Sequence, residues 1–279
     1  MERFRRSVRL AKASWAVLKA DRELLVFPAI SFVALVGILI AFVVPIFFVG
    51  RLVDLETGEY SPASIALAFV FYVVSYSVAF FFNTALVGAA MIRLEGGDPT
   101  VRDGLRIASS RLPQIIGYAL IAATVGMILR AISERLGFVG QIIVGFLGFA
   151  WSILTFLVVP VLVVENVGPV AAIRRSGELL RKTWGEQLIG GGGIGLVFGL
   201  LAVLALLIGS ALAVALGTSI SGILGGGIFI ATLLVVGAIA LTGAALAGIF
   251  TASVYRYATT GEAGAFGTDA MTAASEPKK

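Results

Sequence analysis

The chain contains no cysteine and no histidine in 279 residues. The first absence excludes disulfides, thiolate nucleophiles and thiolate metal sites. The second removes the commonest metal ligand and the commonest general base at neutral pH. Charge is scarce too, at 13% of residues against about 25% in soluble domains. The carboxylates nearest to a membrane face are Glu95, Asp98, Asp103, Glu165, Glu178 and Glu186. Each stands beside Arg or Lys or at a helix start, which reads as pairing and capping. No catalytic residue, metal site or cofactor is therefore expected, and the chain reads as non-enzymatic.

What the chain has in quantity is apolar surface: 59% hydrophobic residues and 34 Gly, with a mean hydropathy of +1.03. This is the composition of a membrane protein, in whose spanning helices Gly is frequent. The basic excess, 21 Lys and Arg over 16 Asp and Glu, sits beside apolar runs. Anionic lipid headgroups are thus the expected partner, rather than nucleic acid.

Three stretches share one pattern: Phe4–Trp15 (FRRSVRLAKASW), Val101–Leu112 (VRDGLRIASSRL) and Ile173–Trp184 (IRRSGELLRKTW). Apolar or small residues fall at 4/8/11/15, 101/105/108/112 and 173/177/180/184. The spacing predicts a helix with one narrow apolar stripe and a basic remainder, the pattern of helices lying in the headgroup plane. Arg5, Arg6, Arg9, Lys12, Arg102, Arg106, Arg111, Arg174, Arg175, Arg181 and Lys182 are the expected headgroup ligands. Packing of these helices on one another is the competing use of the same surface.

Each copy precedes a long uncharged run. Leu24–Val49, Ser61–Ile92, Pro113–Leu129 and Leu136–Val164 each reach or approach the ~20 residues a crossing needs. The first lacks a small-residue cleavage site, so it reads as an anchor and not as a signal segment. Arg130–Arg135 is expected to be a polar turn. Gln187–Tyr255 would be ~100 Å long as a single helix, far over the ~30 Å core, so it is read as two crossings turning at Gly217–Gly222. The fold class is thus all-α, an integral membrane protein of six transmembrane helices in three parallel repeats, each an amphipathic helix plus a helical hairpin. Residues 1–257 form a single membrane domain, with repeats at about 1–92, 98–164 and 168–257, and 258–279 a flexible cytoplasmic tail. Eighteen of the 21 basic residues fall on one side of this arrangement, so both termini are expected to be cytoplasmic in a cell membrane.

Ladders of small residues, Gly191/Gly195/Gly199 and Ala240/Ala244/Gly248/Ala252, recur every fourth position and predict close helix packing and a homo-oligomer. Gly190–Gly195 matches a dinucleotide-binding string, but no strand precedes it and no acidic residue follows until Glu262, so it is not read as one. The spans hold no Asp, Glu, Lys, Arg or His, which argues against a proton-driven pump. Asn83 and Gln141 are costly in hydrocarbon unless paired. They read either as hydrogen bonds between helices or as the lining of a small polar path.

Arg93-Leu-Glu-Gly-Gly-Asp-Pro-Thr100, Asp103-Gly-Leu-Arg106, Arg111-Leu-Pro-Gln114, Ala123-Thr-Val-Gly126, Val159-Pro-Val-Leu-Val-Val-Glu165 and Lys182-Thr-Trp-Gly185 resemble a family of uncharacterised prokaryotic membrane proteins, filed as a domain of unknown function. More loosely, the chain is similar to the membrane domain fused to some glycerophosphodiester phosphodiesterases. The resemblance implies a six-span fold over nearly the whole chain short of the tail, and no activity. Two functions are compatible with these readings. One is a self-associating membrane organiser or scaffold that grips anionic lipid; the alternative is a transporter or channel for a small or amphiphilic solute.

Overall fold

The computed structural model describes residues 14–49, 62–183 and 194–261, and among them every regular element is a helix. Residues 14–20 (α1) end in a 3-10 turn, Arg22–Leu25, that leads into α2, Val26–Val49. There follow α3 (Pro62–Leu94), α4 (Val101–Ser110), α5 (Leu112–Leu154), α6 (Val158–Glu165), α7 (Pro169–Thr183), α8 (Ile194–Ser219) and α9 (Gly222–Thr260). Five stretches are long and apolar enough to cross a membrane: Arg22–Phe42, Pro62–Leu94, Leu112–Glu165, Val197–Ser219 and Gly222–Thr260.

The third stretch, 54 residues long, does not run straight. Gly137 breaks the helix at φ 55°, ψ −133°, a region open essentially to Gly. Its two ends meet: Arg111 Nη2 donates to the Val163 carbonyl and Gln114 Nε2 to Asn166 Oδ1, both at 3.2 Å. The chain therefore goes out along α5, reverses at Gly137 and comes back. The expected turn at Arg130–Arg135 is helical instead, with Arg130 and Glu134 paired one helical turn apart at 2.8 Å. A charged pair at that spacing supports a helix, so the reversal waits for the first residue that can leave it. The return arm breaks again at Thr155–Leu157. Pro160, in the first turn of α6, has no N–H to give and its ring excludes a straight continuation from α5.

The remaining boundaries follow ordinary stop and start chemistry. Gly96 closes α3 at φ 91°. Thr100 then caps α4 in a reciprocal box, accepting from the Asp103 N–H while Asp103 accepts from the Thr100 N–H. Ser221 caps α9, which runs to Thr260, past the expected start of the tail; residues 262–279 lie outside the described ones.

The core lies at one end of the bundle. Residues 84–91 of α3 are all buried and meet Leu157–Val163, Ala245–Tyr255 of α9, Phe27 and Tyr118. Small side chains dominate these faces, and in lipid it is close backbone approach, more than solvent exclusion, that holds helices together. The opposite half turns large apolar side chains outward. Phe138, Phe146, Leu207, Leu234 and Ile223 are exposed, as lipid-facing side chains would be.

Candidate functional site

The packed end carries the basic helices, and their docking can be read residue by residue. On α4 the buried positions are Gly104 and Ala108. A Cβ on Gly104 would lie 2.7 Å from the Ala85 carbonyl and 2.5 Å from Phe27 Cζ, so only glycine lets α4 sit this low on α3 and α2. Val101, Leu105 and Ile107 flank the contact, whereas Leu112, the last of the expected stripe, is 43% exposed. On α7 the buried residues are Ala172, Ser176, Leu179 and Leu180, a face turned by about one residue from the expected 173/177/180/184. The Ser176 hydroxyl accepts the Leu157 N–H at 3.0 Å. That amide is orphaned by the α5–α6 break, which is why a polar residue occupies a wholly buried place. Gly104 and Ser176 hold the same position in their copies, and each meets its partner, Ala85 or Leu157, 19 residues earlier.

Docking inward turns the basic side chains outward, with two exceptions. Arg102, Arg181 and Lys182 are exposed and have no ion-pair partner among the described residues. Arg106 reaches Asp103 at 3.7 Å and Arg174 reaches Glu178 at 3.2 Å, exposed pairs that are worth little. Arg111 instead clasps the Val163 carbonyl. Arg175 Nε spans both oxygens of Glu165 at 3.0 and 3.2 Å, and Tyr255 donates to the same carboxylate at 3.1 Å. The Glu165 carboxylate in turn holds the Arg175 guanidinium more firmly protonated. Glu165 thus ties α6, α7 and α9 together. Arg5, Arg6, Arg9, Lys12 and Trp184 lie outside the described residues. Trp15 is 52% exposed.

Further ties close this end. Arg93 lies 3.3 Å from Asp98 and 3.9 Å from Asp21. Glu23 accepts the Val101 N–H at 3.1 Å, and Arg256 donates to the Leu94 carbonyl. Asp21 is buried and one of its oxygens has no hydrogen-bond partner. Burial raises its carboxyl above the usual range despite the pull of Arg93. Asp103 is lowered by its bonds to Thr100. Among the described residues no three acidic side chains gather as a metal site would need, and Glu186 lies outside them.

Of the expected packing residues, Ala252 and Gly248 are buried, and a Cβ on Gly248 would meet Leu86 Cδ2 at 2.5 Å. Ala244 lines a cavity, Ala240 is exposed, and Gly195 and Gly199 face open space. Gly191 lies outside the described residues. The cavity, about 290 Å³, opens between α2, α3 and α9. Pro28, Ser31, Asn83, Leu86, Gly248 and Thr251 are among its walls. Asn83 is exposed in it and has no hydrogen-bond partner among the described residues, whereas the Thr251 hydroxyl is satisfied by the Ala247 carbonyl. Gln141 is exposed on the return arm.

One feature escapes a reading of charges and small residues. Phe71, Tyr72, Tyr76 and Phe80 stand in line on α3, with Phe42 edge-on at one end and Tyr118 tilted against the other, ring centres 4.5–6.0 Å apart. Arg130 donates to the Tyr72 hydroxyl at 3.3 Å. The signal was there in Tyr72, Tyr76 and Phe80 at every fourth position.

A model described as a family of unknown function, DUF6159, matches residues 62–266, well over half of the chain. The match starts at α3, so the first apolar helix lies outside it, and it shows no link to the membrane domain fused to glycerophosphodiester phosphodiesterases. No curated protein matches the chain.

Proposed function

The chain belongs to the family of unknown function DUF6159, which brings no activity with it, and on its own geometry we propose a non-enzymatic multi-pass membrane protein that grips anionic lipid and organises membrane. The observation that carries this is the docking of α4 and α7. Gly104 and Ser176 press one face of each helix into the bundle, and Arg102, Arg106, Arg174, Arg181 and Lys182 point away from it on one side. A rigid basic collar beside a bilayer attracts anionic headgroups at about 1 kcal/mol per residue. Six crossings follow if the 54-residue stretch is counted as two, since a rod of that length would measure ~80 Å. The equivalent Gly104 and Ser176 contacts support a repeat of helix and hairpin, and the one-sided bias of the basic residues supports cytoplasmic termini in a cell membrane. The face of α8 with Gly195 and Gly199 open beside it suits self-association in a homo-oligomer. Carriage of a solute would need polar groups joined through the bundle. Among the described residues Asn83 and Gln141 stand on separate elements with no hydrogen bond between them.

The test is the quadruple change of Arg102, Arg106, Arg181 and Lys182 to Gln. It spares Arg111 and Arg175, whose bonds hold helices together. The variant should insert and melt like the wild type yet co-purify with several-fold less anionic lipid at low salt. Raised salt should strip the wild type likewise, because screening shortens the reach of exposed charge. Equal lipid profiles for the two proteins would end the lipid-gripping reading and leave docking as the whole use of these helices.

A further inference from the structure

We infer that the cavity between α2, α3 and α9 is a binding site for a neutral amphiphile, an apolar chain whose uncharged polar end bonds to the Asn83 carboxamide. Asn83 lies ten residues before Arg93 on α3, about 15 Å along the helix from that charged boundary. A carboxamide at such depth loses water and must find another partner. It has two donors and an acceptor, and no protein group among the described residues takes any of them. Its Oδ1 stands beside the Gly248–Leu86 contact on the cavity wall, 3.7 Å from where a Gly248 Cβ would be. Ser31 lines the same space from α2.

The walls decide the class of ligand. Pro28, Ala79, Phe82, Leu86, Ala244 and Ala247 are apolar, and no lining residue carries a charge. A phosphate or carboxylate would enter with no counter-charge, at a cost of several kilocalories. A hydroxyl or an amide, or a lone carbonyl, would both satisfy Asn83 and keep its chain among the apolar walls. At about 290 Å³ the space is at the lower edge of ligand cavities, room for one chain and not for a folded headgroup. The site lies apart from the basic collar and does not rest on the lipid-gripping reading.

The same bonding end could belong to a free single-chain amphiphile or to the ester region of a bilayer phospholipid, and the experiment separates them. The full chain in nanodiscs is photolabelled with a long-chain alcohol bearing a mid-chain diazirine, and in parallel with phosphatidylcholine bearing the same group. Adducts are mapped to peptides. The alcohol should label peptides around Ser31, Asn83 and Gly248 saturably, with competition by unlabelled alcohol and several-fold weaker competition by an alkane of equal length. Asn83→Leu should weaken that labelling about three- to tenfold, the effect of one lost hydrogen bond, and Asn83→Gln should retain most of it. Ser31→Leu, which fills the cavity from the α2 side, should abolish it, while labelling of α8 and the melting temperature stay unchanged. Non-saturable labelling, equal labelling by phosphatidylcholine, or indifference to both Asn83→Leu and Ser31→Leu would overturn the site and show only lipid lying against the helices.

Discussion

Asp21 and Asp103 show how two carboxylates at one end of the bundle acquire opposite roles from their surroundings. Asp103 is exposed and hydrogen-bonded to Thr100, so its charged form is favoured and its carboxyl lies below the usual range. The stability it adds is present above the ordinary carboxylate range and is lost as pH falls through that lowered value. Thr100→Ala removes the other half of the box and should cost about 1 kcal/mol, read as a lower melting temperature in detergent at pH 7. That deficit should shrink in acid, where the wild type loses the box as well. Asp21 is the reverse case. Burial raises its carboxyl, so its charge destabilises the folded state above the raised value, and this penalty fades as pH falls through it. Arg93 has Asp98 as a second partner, while Glu23 and Asp98 both add repulsion at Asp21. Asp21→Asn should therefore melt higher than wild type at pH 7, with the gap closing toward pH 4. A lower melting point for the variant at pH 7 would mean that the Arg93 attraction outweighs burial after all.

Among the helices, contact depends on which glycine faces which neighbour. Gly225 of α9 lies against α8 so closely that a Cβ would sit 2.6 Å from both the Ala213 carbonyl oxygen and Gly217 Cα. Backbone atoms cannot swing aside as a side chain can, so Gly225→Ala should open the α8–α9 hairpin at a cost of about 1–3 kcal/mol. Gly237 lies in the same helix with nothing within 4 Å. There the Ala substitution should be neutral or should stabilise by up to about 1 kcal/mol. Thermal unfolding of the two variants side by side separates packing from propensity; a matched loss in both would implicate the helix alone. Gly137 tests a different requirement. Its space is open, but its φ of 55° with ψ of −133° is strained for any side chain, so Gly137→Ala should cost about 1–3 kcal/mol without any clash.

The buried core of the molecule lies at one end, and the basic helices α4 and α7 dock at that end. If that end is cytoplasmic, a cysteine at Ser109 on α4 should resist a membrane-impermeant thiol reagent in intact cells. One at Arg135, next to the Gly137 reversal, should react. The natural chain contributes no thiol background. Reaction at Ser109 and protection at Arg135 would invert the orientation. The particle mass in lipid nanodiscs then decides association: a multiple of 29.1 kDa is expected, and a mass of one chain would leave Gly195 and Gly199 facing lipid.

Hydropathy and charge placement alone were enough for an all-α chain of long apolar helices, for the helices of the two described basic stretches and for the starts and stops of most elements. These depend on local composition, and local signals such as Gly96, the Thr100–Asp103 box and the turn before Gly222 are read within a few residues. The tertiary structure decided what local pattern leaves open. The period at 173/177/180/184 predicts an apolar stripe, yet the buried face is Ala172, Ser176, Leu179 and Leu180, because the orphaned Leu157 amide draws Ser176 inward. Arg111 and Arg175 read like their exposed neighbours, and only the return of the chain from Gly137 brings Val163 and Glu165 to them. The reversal itself moved from the charged Arg130–Arg135 run to Gly137, since a salt-bridged helix resists bending where a glycine does not. Asn83 was visible as a costly residue from the first. That its carboxamide opens into a cavity, and not onto a neighbouring helix, depends on where α2 and α9 stand, a fact that lies 50 to 170 residues away along the chain.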